Sequence, residues 1–135
     1  MRQMVAMLCL GAALVASANE LPQYMETLTQ QAMQTNGAFQ GFDAKRGEKI
    51  FHEVMKSKKG VEISCASCHG NDLKAEGKNT FTGKVIEPLS PKTNPQRLSS
   101  IKSMEKWLRR NFNDVYNREG TALEKGDVLT YILAQ

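Results

Sequence analysis

The chain has 135 residues, of which 41% are hydrophobic, and 18 basic against 14 acidic residues give a formal net charge of +4 at pH 7. A chain of this length forms one small domain rather than several. So small a net charge argues against nucleic acid as a partner.

Residues 1–18 have the pattern of a cleaved secretory signal peptide. Arg2 supplies the positive start, the segment from Met4 to Val15 is largely apolar, and Ala16-Ser17-Ala18 forms a small-residue cleavage site. The apolar run is too short to be a membrane anchor. We therefore expect export to the periplasm, with residues 19–135 as the mature protein.

The first predicted helix lies in an N-terminal helical extension, residues 19–42. Leu21-Pro22 suits the first turn of a helix, and Asn36-Gly37 ends it. Residues 43–135 are predicted to form the main domain. Asp43 can cap its first helix, whose apolar face is expected to hold Ile50, Phe51, Val54 and Met55.

The run Cys65-Ala66-Ser67-Cys68-His69 is typical of covalent attachment of a c-type haem. The two thiols add to the vinyl groups of the porphyrin, and the histidine supplies one axial ligand to iron. A structural zinc site would need four ligands, and only Cys9 and His52 remain as candidates. A plain disulfide or dithiol at the two cysteines stays open.

The stretch from Gly70 to Pro95 is rich in Gly, Lys, Thr, Asn and Pro and has little periodicity. A long loop of this kind is unusual in a small domain unless it wraps something. We expect it to wrap the edge of the haem. A carbonyl near Pro88 is expected to accept a hydrogen bond from the second ring nitrogen of His69.

The third predicted helix runs from about Ser100 to Val115 and places a polar residue on its apolar face. Asn111 lies three or four residues from Leu108, Trp107 and Val115, so its amide points toward the core. Asn111 is therefore a candidate second axial ligand, and a satisfied core amide or a helix cap is the more common explanation of the same pattern. Met104 shares this face and is the competing candidate, and Trp107 is expected to pack beside the haem.

The last predicted helix begins at Thr121, where Thr121-Ala122-Leu123-Glu124 forms a capping box. It is expected to cross the helix that Asp43 caps, with Tyr131 near Gly47. The elements together predict an all-α class I cytochrome c fold, with about four helices around one covalently attached haem.

Most of residues 19–135 resembles the sphaeroides haem protein (SHP) family of oxygen-binding monohaem cytochromes c. The resemblance is carried by Thr82-Gly83-Lys84, Ile86, Pro88-Leu89, Pro91, Pro95, Arg97, Glu105-Lys106-Trp107-Leu108, Arg110-Asn111, Asn113, Val115, Arg118, Thr121, Glu124-Lys125 and Asp127. It is weakest over residues 19–42. Related chains carry two disulfide-forming cysteines near the ligand, where this chain has Phe112 and Gly120.

The resemblance implies His69 and Asn111 as the two iron ligands. It implies that the Asn111 amide leaves when the iron is reduced, which opens the site to oxygen, carbon monoxide or nitric oxide. It also implies a dihaem cytochrome c as electron donor, itself supplied by a membrane cytochrome b. A gas-binding module, an oxygen- or nitric-oxide-consuming haem enzyme, and a plain electron carrier with His69/Met104 ligation all share these residues.

Overall fold

The computed structural model describes residues 19–135, so the predicted signal peptide and Cys9 lie outside the described residues. The helices are α1 (Leu21–Thr35), α2 (Ala44–His52), α3 (Cys65–His69), α4 (Ile101–Tyr116) and α5 (Ala122–Leu133). Two antiparallel hairpins join β1 (Met55–Lys56) to β2 (Glu62–Ile63) and β3 (Gly77–Lys78) to β4 (Val85–Ile86). The all-α fold class is confirmed, and the haem motif itself forms the short helix α3.

Helix α2 and helix α5 cross at a close approach that depends on a glycine. A Cβ on Gly47 would overlap the backbone of Asp127 and lie 2.9 Å from the Cβ of Tyr131. Any larger side chain would force the helices apart. The predicted proximity of Gly47 and Tyr131 is thus confirmed, and α2 and α5 pack closely where they cross.

Helix α1 belongs to the same core as α4 and α5. Its residues Tyr24, Leu28 and Ala32 are buried at helical spacing. The carboxylate of Glu20 accepts a hydrogen bond from the backbone N–H of Ile101 at 2.7 Å, which satisfies one of the free donors at the start of α4. The N-terminal helix therefore stabilises the helix that carries Asn111.

Helix α2 is shorter than the predicted apolar face requires. It ends at His52, and Glu53 at its C-cap is extended. Val54 is consequently 61% exposed, and Met55 pairs with Ile63 in the first hairpin. The prediction that both residues lie on the α2 face was wrong, because long-range strand pairing replaces the next helical turn.

Within residues 19–135, no helix has both the length and the apolar character needed to cross a membrane.

Candidate haem site

The predicted site residues meet at one cavity of about 620 Å³. This volume is in the range of small-molecule and cofactor sites. The cavity is lined by all five of the site residues taken from the sequence, namely Cys65, Cys68, His69, Trp107 and Asn111. Helix α4 contributes many of the other lining residues, and α5 contributes several more.

The motif helix α3 is held at both ends. At its start, the Ser64 hydroxyl accepts a hydrogen bond from the N–H of Ser67 at 3.2 Å, and the Ser67 hydroxyl accepts one from the N–H of Ser64 at 2.9 Å. At its end, Gly70 adopts a φ of 75°, which favours glycine. A reciprocal capping box and a glycine C-cap let five residues form a defined helix.

The sulfurs of Cys65 and Cys68 are not joined to each other, and their surroundings differ. Burial, and next the nearby Cys68, raise the pKa of the Cys65 thiol to about 12. The Cys68 sulfur lies at the surface end of α3, where it accepts a hydrogen bond from the backbone N–H of Thr80 at 3.3 Å. Thr80 follows β3, and sequence reasoning missed it because a lone threonine in a polar loop carries no signal.

His69 has the protonation state that iron ligation requires. Burial, and next the positive charge of Arg97, lower the pKa of His69 to about 4. Its imidazole is therefore neutral at physiological pH, as a metal ligand must be. Its ring also packs near Phe51, with ring centroids 6.1 Å apart.

One ring nitrogen of His69, Nδ1, is buried without a hydrogen-bond partner among residues 19–135. The predicted hydrogen bond to a carbonyl near Pro88 is absent there, and the Pro88 carbonyl instead lies 3.5 Å from the side-chain nitrogen of Asn94. A buried polar atom without a partner is unfavourable. His69 Nδ1 thus lacks the carbonyl partner that the sequence predicted for it.

Asn111 and Met104 both reach the cavity from α4. Asn111 is half-buried, and its amide makes no hydrogen bond to another residue in the described part of the chain. Met104 is only 3% exposed. The helical spacing therefore brings both candidate ligands to the same wall, as the sequence predicted.

Trp107 lies at the mouth of the cavity rather than deep in it. Its side chain is 43% exposed and is flanked by the cations of Lys106 and Arg110, which lie 5.1 and 5.5 Å from its ring. His52, the remaining histidine, contacts Tyr131 at 3.2 Å and does not line the cavity.

Arg97 is a cavity residue that sequence reasoning did not assign to the site. It is half-buried, forms no ion pair in the structure of residues 19–135, and has its pKa lowered by burial. A cation that is partly removed from water is stabilised by an anionic partner. The two propionates of a haem would supply such anions, so Arg97 fits the cofactor that the cysteines and His69 indicate.

The long loop contributes to the cavity wall, as expected. Asn79, Phe81, Thr82 and Lys84 to Glu87 line it, and the β3–β4 hairpin gives this part of the loop a fixed shape. The loop lacks periodicity because each of its strands has only two residues. A helical domain that encloses such a cavity with a Cys-x-x-Cys-His helix defines a c-type cytochrome.

Comparison with known proteins identifies the family. A family model described as a domain of unknown function, DUF1924, matches residues 37–132. The cytochrome c-type protein SHP of Cereibacter sphaeroides is 42% identical over 93 residues, which cover 69% of this chain and 71% of that protein. The chain therefore belongs to the DUF1924 family and, within the c-type cytochromes, to the SHP family.

Two solved structures support the same assignment. The structure of oxidised SHP, an oxygen-binding cytochrome c, has a TM-score of 0.74 at 35% identity and covers 87% of this chain and 99% of that one. A solution structure of cytochrome c'' from Methylophilus methylotrophus, reported for its bearing on haem-ligand detachment, has a TM-score of 0.76 at 29% identity, covering 86% and 94%. The chain is thus a monohaem cytochrome c with a covalently attached haem c.

Proposed function

We propose that this cytochrome binds a small diatomic gas when it is reduced, with Asn111 as a second axial ligand that leaves on reduction. Cys65 and Cys68 would hold the haem covalently, and His69 would be the permanent axial ligand. The observation that carries the proposal is the Asn111 amide, which lines the same cavity as His69 and has no hydrogen-bond partner within residues 19–135.

The chemistry of an amide oxygen explains why Asn111 would leave. A haem held by Cys65, Cys68 and His69 would supply an iron that changes oxidation state and binds a further ligand. An amide oxygen is a hard and weak donor, so it favours the ferric over the ferrous ion. Asn111 would therefore stabilise the oxidised protein and release on reduction, which would leave room in the cavity for a gas molecule.

Two relatives favour this ligand chemistry. SHP is an oxygen-binding cytochrome c, and the structure of cytochrome c'' bears on haem-ligand detachment. Both properties belong to those proteins. They support the proposal because this chain shares their fold and has an unpaired amide in the wall of its own cavity.

The second candidate function is plain electron transfer with His69/Met104 ligation. The buried position of Met104 in the cavity wall favours it. A thioether is a soft donor that retains ferrous iron, so Met104 would keep the axial position filled in both oxidation states. The two candidates therefore differ in whether reduction opens the site.

The setting of the reaction is part of the proposal. We place the mature protein in the periplasm on the basis of the signal-peptide pattern of residues 1–18. A dihaem cytochrome c is the proposed electron donor, supplied in turn by a membrane cytochrome b. Whether the bound gas is then consumed would distinguish a haem enzyme from a gas-binding protein.

Optical and resonance Raman spectra of the haem-loaded protein test the proposal in both oxidation states. The ferrous protein should be high-spin and five-coordinate, and its spectrum should change rapidly when carbon monoxide is added. A low-spin ferrous spectrum that carbon monoxide leaves unchanged would falsify gas binding. A weak near-red sulfur-to-iron band in the ferric protein would then identify Met104 as the ligand.

A further inference from the structure

The residue after Asn111 makes a contact that fixes the C-terminal half of α4. Phe112 is 4% exposed, and its ring lies directly against the backbone of Gly120, in the turn between α4 and α5. A Cβ on Gly120 would lie 2.8 to 2.9 Å from three ring atoms of Phe112. Side chains essentially never pack this closely, so only glycine leaves room for the ring.

The turn that holds Gly120 is itself well fixed. Asn117 ends α4 in the left-handed conformation with a φ of 60°, and its amide donates a hydrogen bond to the carbonyl of Lys56 at 3.0 Å. Arg118 forms two hydrogen bonds with the carboxylate of Glu124, at 2.6 and 2.8 Å. Glu124 and Thr121 complete the capping box at the start of α5. These hydrogen bonds therefore hold the turn in place where the backbone of Gly120 contacts the Phe112 ring.

The Phe112 ring also packs near a second aromatic ring of α4. Its centroid lies 5.5 Å from that of Tyr116, one turn further along α4. The Tyr116 hydroxyl donates a hydrogen bond to the carbonyl of Ile50 on α2 at 2.6 Å. The last turn of α4 is thus connected to α2 through Tyr116 and to the start of α5 through Gly120.

We propose that Phe112 and Gly120 are positioning residues for Asn111, and that their contact sets how far the Asn111 amide extends into the haem cavity. This inference rests on the proposed function. Phe112 lines the same cavity as Asn111 and lies within α4, so a shift of its ring would move the adjacent helical backbone. The contact would therefore set the balance between the bound and released states of the amide.

Gly120→Ala tests the contact because it adds one methyl group beneath the ring. The φ of Gly120 lies outside the left-handed region, so alanine introduces no backbone strain there. We expect the ratio of low-spin to high-spin ferric haem to fall by about tenfold, since overpacking displaces the helix that carries Asn111. Ferric electron paramagnetic resonance and optical spectra measure this ratio.

Phe112→Leu tests the same contact without adding atoms, so it remains informative if Gly120→Ala does not fold. It should also change the ferric spin ratio. The double variant should lie closer to wild type than the two single effects combined, because the shorter leucine leaves room for the added methyl. Independent effects of the two substitutions on the spin ratio would overturn the proposal.

Gly126→Ala is a matched control, because Gly126 also packs against a phenylalanine ring, that of Phe42. Neither of these residues lines the haem cavity. This variant should lower stability and leave the ferric spin ratio unchanged. An equal spin change in Gly126→Ala would show general loosening of the fold and refute the positioning role.

Asn111→Ala separates this inference from the proposed function. If Asn111→Ala changes the ferric spin state and Gly120→Ala and Phe112→Leu do not, the positioning role fails and the proposed function stands. If Asn111→Ala leaves the ferric spin state unchanged, the proposed function fails, and this inference fails with it.

Discussion

The guanidinium of Arg46 on α2 donates two hydrogen bonds to the carboxylate of Asp127 on α5, with N–O distances of 2.8 and 2.9 Å. Asp127 is only 1% exposed, and it also accepts a hydrogen bond from the backbone N–H of Asp43 at 2.7 Å. The buried Asp127 carboxylate thus accepts a hydrogen bond from the N-cap residue of α2 and forms an ion pair with Arg46, and both contacts connect α2 to α5. The helix pair it joins supplies Phe51, Leu129 and Ile132 to the haem cavity.

Asp127→Asn should lower the free energy of unfolding of the haem-loaded protein by about 1–3 kcal/mol. The substitution removes the negative charge that pairs with Arg46 and leaves at least one of the N–H donors without an acceptor. Chemical denaturation followed by circular dichroism measures the loss. Glu48→Gln on the exposed side of α2 is the control and should change stability by less than about 0.5 kcal/mol. Equal effects of the two variants would contradict a structural role for the buried pair.

Replacing both motif cysteines, Cys65→Ala with Cys68→Ala, should abolish covalent haem attachment. Each thioether forms from one thiol, so a single replacement should leave one bond and a haem-stained band on a denaturing gel. Ala66→Ser, between the cysteines, is the control and should stain like wild type. Export with a cytochrome c maturation system is required in every case. Wild-type protein that loses all its colour in acidified organic solvent would refute the covalent bond.

Asn111→Ala should convert the ferric haem from low-spin to high-spin or water-ligated and leave the ferrous form almost unchanged. The reduction potential should rise, because the variant lacks a ligand that stabilises only the ferric state. Electron paramagnetic resonance and redox titration measure the two effects.

Two substitutions on the same helix serve as controls for Asn111→Ala. Asn113 donates a hydrogen bond to the Arg109 carbonyl at 2.9 Å, so Asn113→Ala removes an asparagine with a local partner and should not alter the spin state. Met104→Leu conserves volume and should cost less than about 1.5 kcal/mol of stability. If Met104→Leu changed the iron coordination and Asn111→Ala left it unchanged, Met104 would be established as the ligand.

Glu124→Gln should destabilise the protein at neutral pH by less than about 1 kcal/mol. The hydrogen bonds from Arg118, and next those from Thr121, lower the pKa of Glu124 below its usual value. A lowered pKa stabilises the fold above the pKa of the unfolded state, and this stabilisation is lost as pH falls through the folded-state pKa. The difference between wild type and variant should therefore disappear at acidic pH. Denaturation across pH, with the exposed Glu119→Gln as control, measures it, and a difference that grows on acidification would contradict the ion pair.

Leu28→Ala in α1 should cost about 2–5 kcal/mol of stability, because Leu28 is 1% exposed in the core shared with α4 and α5. Met33→Ala on the exposed side of the same helix should have little effect, since Met33 is 56% exposed. Thermal unfolding of both variants tests whether α1 is part of the domain core. Equal melting temperatures would show α1 to be a peripheral extension.

Features that rest on chemistry between near neighbours in the chain could be predicted from the sequence. A capping box needs only Thr121 and Glu124, three residues apart, and the structure contains it. Helical spacing alone brings Asn111 and Met104 to one face of α4. The haem motif likewise has its chemistry in five consecutive residues, from Cys65 to His69. Each of these follows from covalent distance along the chain.

Features that depend on partners far apart in the chain could not be predicted, because those partners meet only in the folded protein. Met55 leaves the expected helical face because it pairs with Ile63, and two-residue strands carry no periodicity that a sequence could reveal. Arg97 becomes a cavity residue, and Gly120 lies against Phe112, through packing of separate elements. The free energy of such a contact depends on both of the surfaces that folding brings together, so the residues near either partner in the chain do not reveal it.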